Sequence, residues 1–224
     1  MKKKILAMVM AGAMVLSASS VSLAASSEIT PNADGLYAAG EVKVESEFNI
    51  PTIKVELSDT SGKKIAVNPY GLEVNMTGVT VDAEKKAQLV NKTETITNDS
   101  EVGLAVNATV AATVKGKAKI ATAPVAPATE KANSIFAYLQ VEAGSTITAG
   151  DYNAKDANKV AFATKATKKK GMVTLKDKSD ATGKVASYKI LGSVAANPTT
   201  PWVAADGADF SIIFDFEPRL VSAS

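Results

Sequence analysis

The amino-acid sequence predicts an all-β protein, an antiparallel β-sandwich of the jelly-roll or immunoglobulin-like type with about ten short strands. The first observation is the stretch 101–114, EVGLAVNATVAATV, in which apolar side chains occupy every second position from Val102 to Val114. Such alternation, rich in Val and Thr, is typical of a strand with one buried face. The second observation is that shorter alternating segments, separated by turn residues, continue along the chain. Heptads, helix–strand alternation and strict repeats are absent from the sequence.

The N-terminal residues 1–24 predict a signal peptide. Three lysines at positions 2–4 precede an apolar run that is too short for a stable membrane span, and Ser22-Leu23-Ala24 places small residues at the two positions that signal peptidase reads. We therefore expect cleavage after Ala24 and a secreted, extracellular protein at the cell surface. The alternative is an uncleaved N-terminal membrane anchor.

The rest of the chain is predicted to form one domain preceded by an arm. Residues 25–40 are polar, with Pro31 and Gly35 among them, and indicate a flexible N-terminal arm. Residues 41–224 follow as a single β-sandwich domain, which is long enough to bury a core without disulfides. No sorting motif or apolar tail precedes Ser224, so we expect the exported protein to be released, bound by a partner or held in an assembly.

The composition restricts the chemistry open to this chain. The sequence contains no His and no Cys, which removes His general bases, Cys nucleophiles and the usual zinc sites. The chain has 25 Lys and Arg against 23 Asp and Glu; without the three lysines of the signal peptide the balance is 22 against 23. The basic excess therefore belongs to the targeting segment. We expect no catalytic residues, no cofactor, no metal, no nucleic-acid partner and no membrane contact after cleavage.

Alternation predicts the strands of the first half of the domain. Val42, Val44, Phe48 and Ile50 share one face of a predicted strand, which we interpret as a segment able to exchange between subunits. After Pro51 the apolar positions change parity, which suggests a bulge or a crossing between sheets. Further short strands are predicted at Ile53 to Leu57, Ile65 to Val67, Leu72 to Met76, Val79 to Val81 and Ala118 to Ile120. The stretch 82–90 is either one or two helical turns or an irregular approach to a strand.

The second half contains two more long strands. Residues 134–142 place apolar side chains on one face and Phe136 and Tyr138 on the other, so we expect both faces to be covered. Phe210, Ile212, Phe214 and Phe216 form an aromatic strand near the end of the chain. Between them we expect short strands at Val160 to Phe162, Met172 to Leu175 and Val185 to Leu191, with 165–171 as the charged tip of a hairpin.

The lysines of this predicted tip are a candidate contact surface. Lys165, Lys168, Lys169 and Lys170 could touch an anionic polymer such as a teichoic acid, or a nucleic acid, but no aromatic residues are interleaved with them to stack on a ligand. Lysines at a hairpin tip also prevent sheets from pairing edge to edge. We favour the second interpretation.

Three acidic residues and three aromatic residues are the other candidates. Asp206, Asp209 and Asp215 could be imagined as a carboxylate pair or a calcium site, although their spacing is a poor fragment of a calcium loop and a solvated turn is favoured. Trp202, the only tryptophan, could form a glycan platform with Tyr152 and Tyr188. Packing of Trp202 on the end of the core is the favoured alternative.

Short motifs spread over residues 40–218 resemble a group of small exported Gram-positive surface proteins. These are the motif at Ile65 to Tyr70, the turn Asn98-Asp99-Ser100 running into a Val-rich strand, and Trp202 to Asp206 before the aromatic strand. Their order is similar to that in WxL-type cell-wall proteins and their clostridial relatives, and more distantly to camelysin and TasA-type fibre subunits. The Trp-x-Leu signature itself is missing, since Trp202 is followed by Val203, and so is a metalloprotease motif.

Together these features predict a non-catalytic surface protein, a subunit of an extracellular fibre or matrix assembled by β-strand addition. We expect self-association, or association with another surface protein, through the segment that contains Val42, Val44 and Phe48. The alternative is a secreted module that binds glycan or cell-wall polymer through Trp202 or through Lys168, Lys169 and Lys170. An enzyme that uses carboxylates alone is a third, less favoured hypothesis.

Overall fold

The structure, a computed structural model, describes residues 53–58, 65–148 and 150–219. All of them belong to one compact unit, residues 52–224. The predicted signal peptide 1–24, the predicted arm 25–40 and the predicted strand with Val42, Val44 and Phe48 lie outside the described residues.

The described residues are mostly β-strand. In chain order they form β1 (Val55–Leu57), β2 (Ala66–Val67), α1 (Asp82–Lys85), β3 (Leu89–Val90), β4 (Glu94–Asn98), β5 (Gly103–Lys115), β6 (Lys119–Ile120), β7 (Ser134–Ala143), β8 (Lys159–Ala161), β9 (Thr167–Leu175), β10 (Val185–Val194) and β11 (Gly207–Arg219). The helix α1 confirms the helical turn that was one of the two predictions for residues 82–90. No helix in the described ranges has the length and hydropathy needed to cross a membrane.

The largest sheet has the strand order β1-β4-β10-β7-β6, and β8 also pairs with β7. Its pairs are antiparallel except for β6, which runs parallel to β7. Two long strands, β7 and β10, pair from Ile135 opposite Val194 to Ala143 opposite Ala186 and form the middle of this sheet. A separate pair of short strands, β2 and β3, is antiparallel.

A second sheet of three strands has the order β11-β5-β9, and both of its pairs are antiparallel. The stretch with the clearest alternation, β5, lies in the middle, as predicted. It pairs with β11 along its whole length, from Gly103 opposite Arg219 to Lys115 opposite Gly207. Val106 and Val110 of β5 are fully buried, whereas Val114 near its end is exposed.

The two sheets share one hydrophobic core. Val106 and Val110 of β5 belong to the same buried cluster as Leu139 of β7 and Ile190 of β10. Aromatic pairs also join the sheets: Phe162 meets Phe210, and Tyr188 meets Phe214, each edge to face with ring centroids 4.9 Å apart. Burial of each large apolar side chain contributes about 1.5–3 kcal/mol, so this shared core is the main source of stability.

The strand β7 is covered on both faces, as the sequence predicted. On the face away from the three-stranded sheet, Phe136 and Tyr138 pack with Val125 and Ala195 in a second, smaller cluster. Tyr152 contacts both rings, edge to face with Phe136 at a centroid distance of 5.0 Å and tilted against Tyr138 at 5.2 Å. Residues 121–133 and 195–202 cross this face as loops, which is why a central strand here can be apolar on both sides.

Two amide side chains complete the hydrogen bonding of β10 where β4 no longer runs beside it. Asn91 donates from Nδ2 to the Ile190 carbonyl oxygen at 2.6 Å, and its Oδ1 accepts from the Ile190 amide at 3.2 Å. Gln88 does the same with Val194, at 2.7 and 2.9 Å. These two side chains therefore take the place of a neighbouring strand where no strand of the described residues pairs with this edge of β10.

Two strand predictions were wrong. Residues 72–76 and 79–81 form an irregular segment, held in part by Asn68, whose side chain bonds the main chain of Leu72 in both directions. Leu72 is 65% exposed, so its alternation with Val74 and Met76 reflects no buried face. Residues 165–171 are not a hairpin tip either. Thr167 already begins β9, which continues through the lysines to Leu175 in a single strand.

Candidate functional site at the edge of the three-stranded sheet

The strand β11 forms a long edge that no described residue pairs with. It is 13 residues long, bonded to β5 on one side, and last in the strand order of its sheet. Other edge strands in the described ranges are short or interrupted: β1 has 3 residues, β6 has 2, β8 has 3, and β9 carries a bulge. The free amide and carbonyl groups along such an edge are a template on which a further strand can pair.

The inner face of β11 is apolar and incompletely covered. Phe210, Ile212, Phe214 and Phe216 all pack against the core while remaining partly exposed. On the opposite face Ile213 is 58% exposed. Pro218 lies near the end of the strand. Proline has no N–H group to donate, and an edge strand tolerates it because one side of the strand needs no ladder hydrogen bonds. An apolar strand beside β11 would bury more of these side chains.

The predicted lysine cluster is dispersed by the strand geometry. Lys168 lies opposite Thr109 and Lys169 opposite Ala108, so their side chains emerge on opposite faces of the sheet. Lys168 donates to Asp215 at 2.8 Å, and this hydrogen bond, with the charge of Asp215, raises the lysine pKa. Lys170 is exposed in the bulge that follows. Lysines and a bulge guard the β9 edge, so β11 is the edge of this sheet that lacks such protection among the described residues.

The predicted acidic cluster is dispersed as well. Asp206 accepts hydrogen bonds from the amides of Lys117, at 2.8 Å, and Val203, at 3.0 Å, and these bonds lower its pKa. Asp209 pairs with Lys115, and Asp215 with Lys168. Within the described ranges, no three acidic side chains are grouped as a metal site requires. Each of these aspartates has a structural partner of its own.

The three aromatic residues considered as a glycan platform do not meet. Tyr188 packs on Phe214 between the two sheets, whereas Tyr152 lies in the second cluster on the other face of the large sheet. Trp202 is partly buried against both clusters, and its Nε1 donates to the Ala195 carbonyl at 2.7 Å. The indole is therefore held mainly by the protein itself. A cavity of about 390 Å³ adjoins it, lined in part by Ile65, Pro69 and Val203.

Sequence reasoning missed a pocket on the outer face of the three-stranded sheet. Asn107 of β5 is only 1% exposed although its alternation places it on that face. Its Oδ1 accepts from the amide of Gly171 at 2.7 Å. The available signal was Gly171 after three lysines inside an alternating segment, since an isolated Gly in a strand indicates a bulge.

Comparison of the chain with protein families, curated proteins and solved structures yields no match.

Proposed function

We propose that this protein is a non-catalytic, secreted structural protein of the cell surface, a subunit of an extracellular fibre or matrix that assembles by β-strand addition. The observation that supports it is the 13-residue edge of β11, with its partly exposed aromatic face and no partner among the described residues. Soluble proteins normally shorten, charge or cover such edges, because unprotected ones pair with other chains. A long apolar edge is the feature expected of an acceptor.

The donor in this proposal is the predicted strand with Val42, Val44 and Phe48. Its apolar side chains alternate with Lys43, Glu45, Glu47 and Asn49. The inner face of β11 alternates in the same way over 210–216. A donor strand paired with β11 would extend the apolar face over the Phe side chains and leave its charged residues in water. Main-chain hydrogen bonds would supply affinity without any specialised side chain.

We infer a two-layer β-sandwich in which the β11 edge is completed by a strand from another subunit. Export through the predicted signal peptide 1–24, and the resemblance of motifs in 40–218 to Gram-positive surface proteins, are consistent with a role outside the cell. The pairing of Asp209 and Asp215 with lysines fits a structural role for these carboxylates better than a catalytic one.

Electron microscopy of variants in the donor segment tests strand addition. We expect the purified chain without residues 1–24 to form filaments, and the variant with Val44→Lys and Phe48→Lys, or one lacking residues 25–40, to remain monomeric. The matched control is Glu45→Lys with Glu47→Lys, which changes charge on the opposite face of the same segment and should still polymerise. A monodisperse wild-type monomer at high concentration, without filaments in negative stain, would refute the proposal.

Disulfide trapping identifies the acceptor, because the chain contains no cysteine. One chain carries Ile213→Cys and a second carries a cysteine at 43, 45, 47 or 49. When they are mixed and oxidised, we expect a mixed disulfide dimer for at least one donor position. Val81→Cys, at a residue 55% exposed and outside β11, is the control acceptor. Equal trapping at positions 81 and 213 would contradict a specific edge.

A second candidate is a module that binds glycan or cell-wall polymer, favoured by the cavity beside Trp202. Its exposed rim includes Val203, which is 52% exposed. A pull-down on cell-wall polysaccharide compares the wild type with Trp202→Ala, and Ile213→Ala, on the outer face of β11 and outside the lining of this cavity, serves as the control. Loss of retention with Trp202→Ala alone, in a variant that keeps its thermal transition, would favour this function over assembly.

A further inference from the structure

The bulge in β9 creates a distinct local structure on the outer face of the three-stranded sheet. Val106 lies opposite Val173 and Ala108 opposite Lys169, so a single β5 residue, Asn107, faces the three β9 residues between them. Gly171, in the middle of the three, has a φ of 61°, a conformation that glycine adopts without strain. The two additional residues move the β9 chain out of the ladder above Asn107.

Asn107 is oriented but incompletely bonded. The Gly171 amide donates to its Oδ1 at 2.7 Å, which fixes the direction of the side-chain amide. Its Nδ2 is buried and has no hydrogen-bond partner among the described residues. Buried amide groups in proteins almost always have a hydrogen-bond partner, so we expect this donor to bond to a group that the described residues do not supply.

Asn107 lines a pocket of about 460 Å³. The pocket is lined by Ala105, Asn107, Lys170, Gly171, Glu217, Pro218 and Arg219. Small residues, Ala105 and Gly171, leave room above the sheet, and long exposed side chains form the rim. Arg219 donates to Thr174 Oγ1 at 2.9 Å, and no carboxylate in the described ranges forms an ion pair with Arg219 or Lys170. With Glu217 included, the lining carries one net positive charge.

We propose that this pocket binds a carboxylate group at the end of a larger molecule. The donors without a partner among the described residues are Asn107 Nδ2, the Lys170 ammonium and the remaining N–H groups of Arg219. A carboxylate accepts about four hydrogen bonds and makes charge-assisted bonds to Lys and Arg. One carboxylate would bring the net charge of the lining and its ligand to zero, whereas a phosphate dianion would leave a net negative charge. Long side chains at the rim can move aside to admit the group to the buried amide.

Two sources of a carboxylate fit this chemistry, the C-terminus of a peptide and the uronic acid of a polysaccharide. Calorimetric titration of the full chain with N-acetylglycine and with glucuronate distinguishes them, and the N-acetylglycine methyl ester is the uncharged control. We expect saturable binding of one acid, no binding of the ester, and a shift of the Asn107 side-chain amide resonance on binding.

Variants at the rim test the site without removing the buried amide. Lys170→Gln and Arg219→Gln should each weaken binding about tenfold, since each removes one charge-assisted bond. Lys169→Gln is the matched control, because its side chain leaves on the other face of the sheet, and it should bind like the wild type. Equal binding of ester and acid, no binding of either acid, or equal affinity in all three variants would overturn the proposal.

Discussion

Tyr188 of β10 and Phe214 of β11 meet edge to face across the two sheets, with ring centroids 4.9 Å apart. Tyr188 is 5% exposed, whereas Phe214 is only partly buried. This contact links the large sheet to the edge strand of the three-stranded sheet. Tyr188, the more deeply buried of the two, therefore packs directly against β11, the strand that we propose as an acceptor.

A double-mutant cycle on this pair should show favourable coupling. We expect Tyr188→Leu and Phe214→Leu each to lower the free energy of unfolding, and the coupling free energy between them to be about 0.5–1.5 kcal/mol, the usual range for aromatic pairs. Urea denaturation of the four proteins measures it. Pairing Tyr188→Leu with Phe210→Leu, which contacts Phe162 instead, should give a coupling near zero.

Gly192→Ala should destabilise the large sheet. A Cβ atom at 192 would lie 2.0 Å from the Phe136 carbonyl oxygen and 3.0 Å from the Ala137 Cα, and backbone atoms in the middle of a sheet cannot easily move. We expect the free energy of unfolding to fall by about 1–3 kcal/mol, as it does when a packed site receives an additional methyl group. Thermal unfolding measures the effect. Gly150→Ala is the control, because its nearest atom would be the flexible Lys159 Nζ at 3.8 Å.

Asn91→Ala should lower the free energy of unfolding by more than the loss of a few side-chain atoms would suggest. The substitution removes both partners of Ile190, whose amide and carbonyl groups now bond to the Asn91 side chain. A buried polar group left without a partner costs about 1–3 kcal/mol, so we expect the free energy of unfolding to fall by at least this amount. Chemical denaturation with Asn153→Ala, an exposed amide, as the comparison checks this. Equal stability of the two variants would show that water replaces Asn91 at β10.

Asp206 should make stability dependent on pH in the acid range. The amides of Lys117 and Val203 lower the pKa of its carboxyl below the ordinary value of 3.8. A lowered pKa in the folded state contributes stability above pH 3.8 that is lost as the pH falls towards the folded-state pKa. We expect Asp206→Ala to lower the melting temperature at pH 7 and to reduce its decline below pH 4. Melting curves from pH 2 to pH 7 test this, with Asp209→Ala as the comparison.

Ile213→Lys should reduce assembly without reducing stability. Ile213 is 58% exposed in the middle of β11, so the substitution removes little buried surface, and a lysine on an edge strand opposes pairing with another chain. We expect shorter or fewer filaments and an unchanged melting temperature. Light scattering follows the assembly, and Val81→Lys, a lysine added at another exposed position, should assemble normally. Identical assembly of both variants would argue against the β11 edge.

Long strands could be predicted from the sequence because alternation is a local property. Apolar residues occupy every second position from Val102 to Val114 in β5, from Ile135 to Val141 in β7 and from Phe210 to Phe216 in β11, and chance rarely produces such runs. The lysine run 168–170 was misinterpreted for the converse reason. Consecutive polar residues are typical of a turn. In an edge strand with a bulge, however, lysines on either face of the strand can reach water.

The pocket at Asn107 could not be predicted in the same way. Its lining comes from three strands, β5, β9 and β11, which are far apart in sequence. Alternation assigns Asn107 to the outer face of the sheet, and so predicts exposure. Only the displaced β9 chain at Gly171 buries it, and that displacement depends on the register between the two strands.

The sequence by itself determined the all-β class, the long strands β5, β7 and β11, and the coverage of β7 on both faces. These follow from local periodicity and from the contrast between apolar and polar side chains. Tertiary structure alone decided which strands became edges, which charges became paired and which amides replaced a missing strand. Those outcomes depend on pairings between distant segments, such as β5 with β11 and Asn91 with β10, whose free energies no local pattern encodes.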